Sequence, residues 1–323
     1  LIVSAQPFSD TTVLQDVSRN LNFDIVYLPG ILQKNANRFN IFDAPYHYIE
    51  INRLSEAYRS GTEKTYFENY PMDVFPQTDN RPFPYRFLKW SRLKALYKMT
   101  GSRFYSLFMS GEIVVSVVLI EALGISILLL ILPFITTLKE NRKFYFSHML
   151  YFFAVGSGFM FIELFFIKGY IFVFGDPVIS LTVVITGLLV FSAFGGYWSQ
   201  RISAKRFPIA IAALIVILMC MFFIFNPIMH SVIQLTKFLR YTLSLLLLIP
   251  TGFLMGLPFP LGMRYLLKLP AQRAYAWTIN GCASVLASIA SAQIALGLGI
   301  SVIMIFAISA YVLAFITLCF KRI

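Results

Sequence analysis

Few residues of this chain have both a type and a setting suited to chemistry, and most of them lie in apolar stretches. Glu163 falls about mid-way through Gly158-Phe159-Met160-Phe161-Ile162-Glu163-Leu164, and Glu121 holds a similar place in an earlier run. An ionised carboxylate at the centre of a bilayer costs roughly 2.5–3.5 kcal/mol on insertion scales, so each acid must find a partner or keep a proton. The chemistry open to them is a proton or substrate relay. The plainer role is an interhelical hydrogen bond that fixes packing. Asn280 and Gln293 add polar groups to a later run, and Asn280 is the expected partner of Glu163. The run TGFLMGLPFPLGMR at 251–264 is a third feature: Gly256, Pro258 and Pro260 must break a helical ladder there and free backbone carbonyls. Transporters bind ligands at interrupted helices, although a proline kink without transport is commoner.

Before the apolar runs, Thr78-Asp79-Asn80-Arg81-Pro82-Phe83-Pro84-Tyr85-Arg86-Phe87 sets an acid and a guanidinium two residues apart beside a proline-stiffened aromatic segment. Asp79 and Arg81 are candidates to line a polar pocket. A turn cap and a structural ion pair are the plainer roles, because most charged pairs are structural. From Arg86 to Arg103 six basic residues and no acid alternate with Phe87, Trp90, Leu93 and Tyr97. That spacing predicts an interfacial helix with its rings at headgroup level and Lys89, Arg92, Lys94 and Lys98 facing phosphates or water.

Seven stretches must carry these residues across a membrane: Glu112–Thr136, Ser147–Phe172, Pro177–Trp198, Phe207–Ile228, Tyr241–Leu266, Ala274–Leu296 and Ser301–Phe320. Each has close to the roughly 20 residues that a bilayer demands. The composition agrees, with 58% hydrophobic and 13% charged residues and a mean hydropathy of +0.73. Residues 1–110 hold 13 Lys/Arg against 10 Asp/Glu, and residues 111–323 hold 14 against 5. The surplus belongs to membrane loops, so it implies a lipid bilayer as partner and no nucleic acid. Basic clusters follow the first, third and fifth spans at Lys139/Arg142/Lys143, Arg201/Lys205/Arg206 and Arg264/Lys268/Arg273, with Lys321/Arg322 at the end. They ask to be cytoplasmic. The Arg86–Arg103 belt asks the same, which an odd number of crossings cannot satisfy. In the sixth span Gly281, Ser284, Ser288, Ser291 and Ala295 share a face that lets another helix approach.

The expected fold class is therefore mainly α, a polytopic bundle of about seven spans preceded by the tail of a Rossmann-like α/β domain of methyltransferase type. In that tail, Leu1–Ser4 and Phe23–Leu28 read as strands around a helix at Thr11–Leu21 capped by Ser9 or Asp10. The domain division is 1–85 for the incomplete α/β part, 86–110 for the basic linker and 111–323 for the bundle. Residues 1–110 contain only Gly30, Gly61 and Gly101, so no glycine-rich phosphate cradle can be drawn from them. There is no Walker loop, Ser-His-acid set or Cys-x-x-Cys. Cys220, Cys282 and Cys319 lack metal-ligand spacing, and His47, His148 and His230 are scattered, so no metal is expected.

Four segments give the chain a resemblance to the membrane-bound spermidine synthase-like proteins, in which an aminopropyltransferase-type α/β domain is joined to transmembrane helices. They are TDNRPFPYRF at 78–87, GFMFIELFFIKGYIFVFGDPVISLTVV at 158–184, GLPFPLGMR at 256–264 and AYAWTINGCASVLAS at 274–288. The resemblance implies that Leu1–Leu28 ends an α/β domain whose upstream part held decarboxylated S-adenosylmethionine and a diamine, and that the protein sits in the inner membrane of a bacterium. It assigns no catalytic residue, with Asp79 at most a supporting group. Asn80 stands where a second Asp is expected, Pro84 where an aromatic is usual, and Lys168 and Asp176 replace other polar residues. Three functions follow as expectations: the membrane portion of such a protein, inactive alone; a non-catalytic subunit of a larger membrane complex; or a polyamine or cation transporter.

Overall fold

The computed structural model describes residues 10–28, 30–39, 43–84, 86–100, 111–139 and 146–319. The expected strand Leu1–Ser4, the alternative cap Ser9 and the basic residues Arg103, Arg142, Lys143, Lys321 and Arg322 lie outside them. Two compact units emerge, one of residues 1–75 with 89–99 and one of 76–88 with 100–323. The segment Pro76–Leu88 thus belongs to the bundle, where the sequence division had put most of it with the soluble part.

The first unit is helical among its described residues: α1 (Thr12–Asn20), α2 (Tyr46–Ser60), α3 (Glu63–Asn69) and α4 (Leu93–Thr100). Asp10 accepts the Thr12 N–H at 2.8 Å at the start of α1, and that bond holds its carboxyl below the usual range. Phe23–Leu28 is not a strand. Asp24 accepts the backbone N–H groups of Arg38 (2.6 Å) and Phe39 (3.1 Å), which ties the segment to a loop, and an extended segment needs a paired neighbour to become a strand. Gly61 ends α2 in the left-handed conformation, φ 67°. Tyr66 donates to Glu50 at 2.9 Å, linking α3 to α2.

Among its described residues the second unit contains seven helices long and apolar enough to span a bilayer, which makes the chain an integral multi-pass membrane protein. They comprise α5 (Gly111–Lys139), α6 (Phe146–Phe174), α7 (Pro177–Trp198), α8 (Phe207–Val232), α9 (Lys237–Met255) continued by the short α10 (Pro258–Tyr265), α11 (Pro270–Leu298) and α12 (Ile300–Cys319). The boundaries agree with the sequence reading to within a few residues because caps set them. Gly175 turns the chain at φ 68°, Asp176 accepts from Val178 and Ile179, and Pro177 starts α7.

Hydrogen bonds fix how the helices run. Tyr275 on α11 donates to the Leu130 carbonyl near the end of α5, and Gln293 on α11 donates to the Glu112 carbonyl at its start, so these two are antiparallel. The chain alternates between two ends. The first end gathers Thr78–Leu88, the start of α5, the α6–α7 and α8–α9 turns and the α11–α12 turn. The second gathers the α7–α8 connection and the α9–α10–α11 region, and it carries Arg201, Lys205, Arg206, Arg264, Lys268 and Arg273. The basic loops thus share one end, opposite Thr78–Leu88.

Packing centres on α6, whose buried residues reach all round the helix. Toward the first end Phe165, Phe166 and Tyr170 pack with Phe225, Leu248 and Tyr311. Toward the second end Tyr151 and Phe152 pack with Phe207, Leu261 and Tyr275. Close approach of α7 and α9 depends on glycine from both sides: a Cβ on Gly195 of α7 would collide with the Phe253 carbonyl, and one on Gly256 with the Ser192 carbonyl. On α11 the buried face is Ala276, Ala283, Ala287, Ser291 and Ala295. Gly281, expected at a helix contact, instead faces open space.

Candidate functional site

The turn Thr78–Arg81 closes with an Arg81 N–H to Thr78 carbonyl bond of 2.8 Å. Asn80 at its tip caps α12. Its backbone carbonyl accepts from Ile300 at 2.8 Å, and its Oδ1 accepts the Ser301 N–H at 2.7 Å and hydroxyl at 2.8 Å. Gly299 permits this at φ 103°, and a Cβ there would strike the Asn80 amide. Asn80 is therefore a structural clasp that the sequence reading noted only as a departure from Asp. Six residues on, Arg86 pairs with Glu112 at 3.7 Å, both largely buried, and the Leu88 N–H donates to the same carboxylate at 3.3 Å.

Held this way, Thr78 and Asp79 form the rim of a cavity of about 300 Å³ between α6, α8 and α12. Lys168, Asn226, His230 and Ser301 supply its polar wall, and Phe165, Phe172 and Phe225 its aromatic one. Gly169 makes room for the Phe225 ring, which would overlap any Cβ at that position. Lys168 is half-buried and lies six residues before the end of α6, about 9 Å along the axis. Its one described contact is the face of Phe83, 5.4 Å from the ring centroid. The His230 ring packs edge-on against Phe172 with centroids 5.5 Å apart.

The other expected residues are dispersed. Arg81 is half-buried beside the turn. Glu163 is half-buried and has no hydrogen bond or ion pair among the described residues. Asn280 is not its partner: it packs against Gly156, seven residues and about 10 Å along α6 from Glu163, and its Oδ1 is buried without a hydrogen bond. Glu121 is exposed on α5. Gln293 does act as polar glue, donating to the Glu112 carbonyl at 2.8 Å and to the Ser116 hydroxyl. The break at Gly256, Pro258 and Pro260 is real, since α9 ends at Met255 and α10 starts at Pro258. The Leu254 carbonyl, which Pro258 leaves without its i+4 donor, accepts from the Leu257 N–H at 3.2 Å, and fully buried Tyr151 donates to the Pro258 carbonyl at 2.7 Å, tying α6 to the first turn of α10.

The basic belt is not one helix but an extended segment, a short 3-10 turn at Trp90–Arg92 and α4. Lys89 donates to the Phe67 and Tyr70 carbonyls at the end of α3, and Arg92 to Asn69 at 2.9 Å. These two close the first unit, Lys89 half-buried and Arg92 still exposed. Burial lowers the Lys89 ammonium below the ordinary lysine range. Lys94 and Lys98 are exposed with Phe87, Trp90 and Tyr97, as an interfacial surface requires.

Among the described residues no three His, Cys, Asp or Glu side chains converge as metal ligands. Nor do the residues fit decarboxylated S-adenosylmethionine. Gly30 and Gly61 meet open space, and Gly61 serves a helix terminus instead of cradling a ligand. No protein-family model, curated protein or solved structure matches this chain.

Proposed function

We propose that this chain is the membrane-embedded C-terminal portion of a spermidine synthase-like protein of a bacterial inner membrane, inactive by itself. One observation carries the reading. Two of the segments that bear the resemblance, far apart in sequence, line a single cavity: Thr78, Asp79 and Asn80 from one, and Lys168, Gly169 and Phe172 from the other. The remaining two segments meet α6 directly, through Pro258 on Tyr151 and Asn280 on Gly156. An α/β tail before the bundle is supported by α1, which buries none of its residues. It leaves Val13 65% and Val17 47% exposed, apolar surface of the kind a sheet covers.

Aminopropyl transfer joins an amine nitrogen to the methylene beside a sulfonium as that methylene's bond to sulfur breaks and a neutral thioether leaves, with a carboxylate to hold the diamine and accept its proton. Asp79, exposed at the cavity rim, is the candidate supporting carboxylate. Purified protein beginning at Leu1, given putrescine and the decarboxylated cofactor, is expected to give no spermidine. Turnover would refute that inactivity. Intact-mass measurement on the protein taken from its own membrane is expected to find on the order of 200 further residues upstream, a domain's worth of chain.

A second reading, a non-catalytic subunit of a membrane complex, is favoured by Glu121. This acid lies at the middle of the span Gly111–Ile131 and is exposed, a placement that a neighbouring membrane protein would relieve. Stoichiometric co-purification of a partner supports it; a monodisperse monomer counts against it.

A further inference from the structure

We propose that the cavity beside Lys168 binds the phosphate of a phospholipid headgroup entering between α6 and α8. The inference rests on the cavity and not on the spermidine synthase-like resemblance, so either can fail without the other. Lys168 sets a cation about two turns inside the end of its helix, where a long side chain would otherwise snorkel to the surface. Among the described residues it makes no hydrogen bond and no ion pair, and only the face of Phe83 meets it. Asn226 and His230, on the α8 wall of the same cavity, likewise have no hydrogen bond described. Three donors therefore converge on one space without an acceptor.

The rest of the cavity narrows the ligand class. Asn226, His230 and Phe172 are exposed, which marks an opening between the ends of α6 and α8 at the level where headgroups lie. Phe165, Phe172 and Phe225 give it an apolar wall suited to the glycerol and upper acyl carbons of a lipid. Asp79 at the rim opposes a polyanion, so a single phosphodiester fits better than a di- or triphosphate. Basic pockets between transmembrane helices are established headgroup sites. A free phosphate ester offers the same anion without a use for the aromatic wall.

The test is native mass spectrometry of the full chain in detergent, titrated in parallel with phosphatidylethanolamine, glycerophosphoethanolamine and inorganic phosphate. The wild type is expected to retain the lipid. Lys168→Met should lower its retention at least tenfold, and Asn226→Leu or His230→Leu, both at exposed positions that tolerate an apolar side chain, at least threefold. Lys237→Met, at the same end of the bundle but outside the cavity, should change nothing. Asp79→Asn should leave binding equal or tighter. Retention unchanged in both Lys168→Met and Asn226→Leu overturns the site. Loss of binding in Asp79→Asn alone overturns the anion in favour of a cationic ligand. Equal binding of glycerophosphoethanolamine and the lipid overturns the lipid as the source of the phosphate.

Discussion

Helices α5 and α6 are both 29 residues long and both carry one acid near the middle, yet the structure uses them in opposite ways. The more apolar helix is the less buried: an 18-residue stretch of α5 has a mean hydropathy of 2.8 and is 6% buried, against 1.9 and 67% for the corresponding stretch of α6. In water that order would be reversed. In a bilayer the exterior must be as oily as the lipid, while the interior tolerates Gly, Ser and Tyr so long as they pack and bond. Helix α6 is accordingly held by close approach, with Gly156 against Asn280 and Gly158 against Tyr311. Helix α5 is held by a polar clasp at its first turn, Arg86 on Glu112 and Gln293 on Ser116.

The clasp is the place to break that contrast hardest. Arg86→Ala strands the Glu112 carboxylate in a buried site and should cost about 3–5 kcal/mol, with Glu112→Gln in the same chain restoring part of it. Thermal unfolding in detergent reads both, and a double variant no more stable than Arg86→Ala would deny the pairing. Next is the outward acid of α5. Glu121→Leu should favour insertion of that segment alone by roughly 2.5–3.5 kcal/mol in a translocon assay, and no change would remove Glu121 from the bilayer centre. A pair of glycine variants sharpens the packing side. Gly156→Leu in α6 should destabilise by about 1–3 kcal/mol, because the Asn280 backbone cannot yield, whereas Gly124→Leu in α5, facing open space, should stay within about 0.5 kcal/mol. Equal losses would refute the distinction. The smallest effect belongs to the cap on α12, the helix packed along α6: Asn80→Ala should cost about 0.5–2 kcal/mol, and faster hydrogen exchange confined to the first turn of α12 would localise it.

Some of the site was legible in the residues and some was not. Asp79 could be read as a pocket candidate from its place two residues before Arg81 beside a proline-stiffened aromatic segment, with a turn cap as the plainer role. Asn80 could not be read as a helix cap, because the helix it caps starts 220 residues later at Ile300. Lys168 stands out in the sequence only as a departure from the family pattern, and nothing local says that Asn226, His230 and Asp79 share its cavity. The pairing of Glu163 with Asn280 failed for a related reason: composition names the polar groups of two helices without giving their relative height. The basic belt misled because Lys89 and Arg92 found carbonyl and amide acceptors on α3, and a charge with internal acceptors has less need of lipid.

By itself the sequence determined that this is a multi-pass membrane protein, where the seven spans begin and end, and which loops carry positive charge. These follow from local free energies of transfer and capping, which depend on runs of about twenty residues and on the few at each helix end. Only the tertiary structure decided that α6 is central and α5 peripheral, that Tyr151 ties α6 to the helix following the break, and that a lysine, a histidine and an aspartate line one cavity at one end of the bundle. Between helices surrounded by hydrocarbon, association depends on shape and on paired polar groups at matching depth, and neither quantity is written in any single segment.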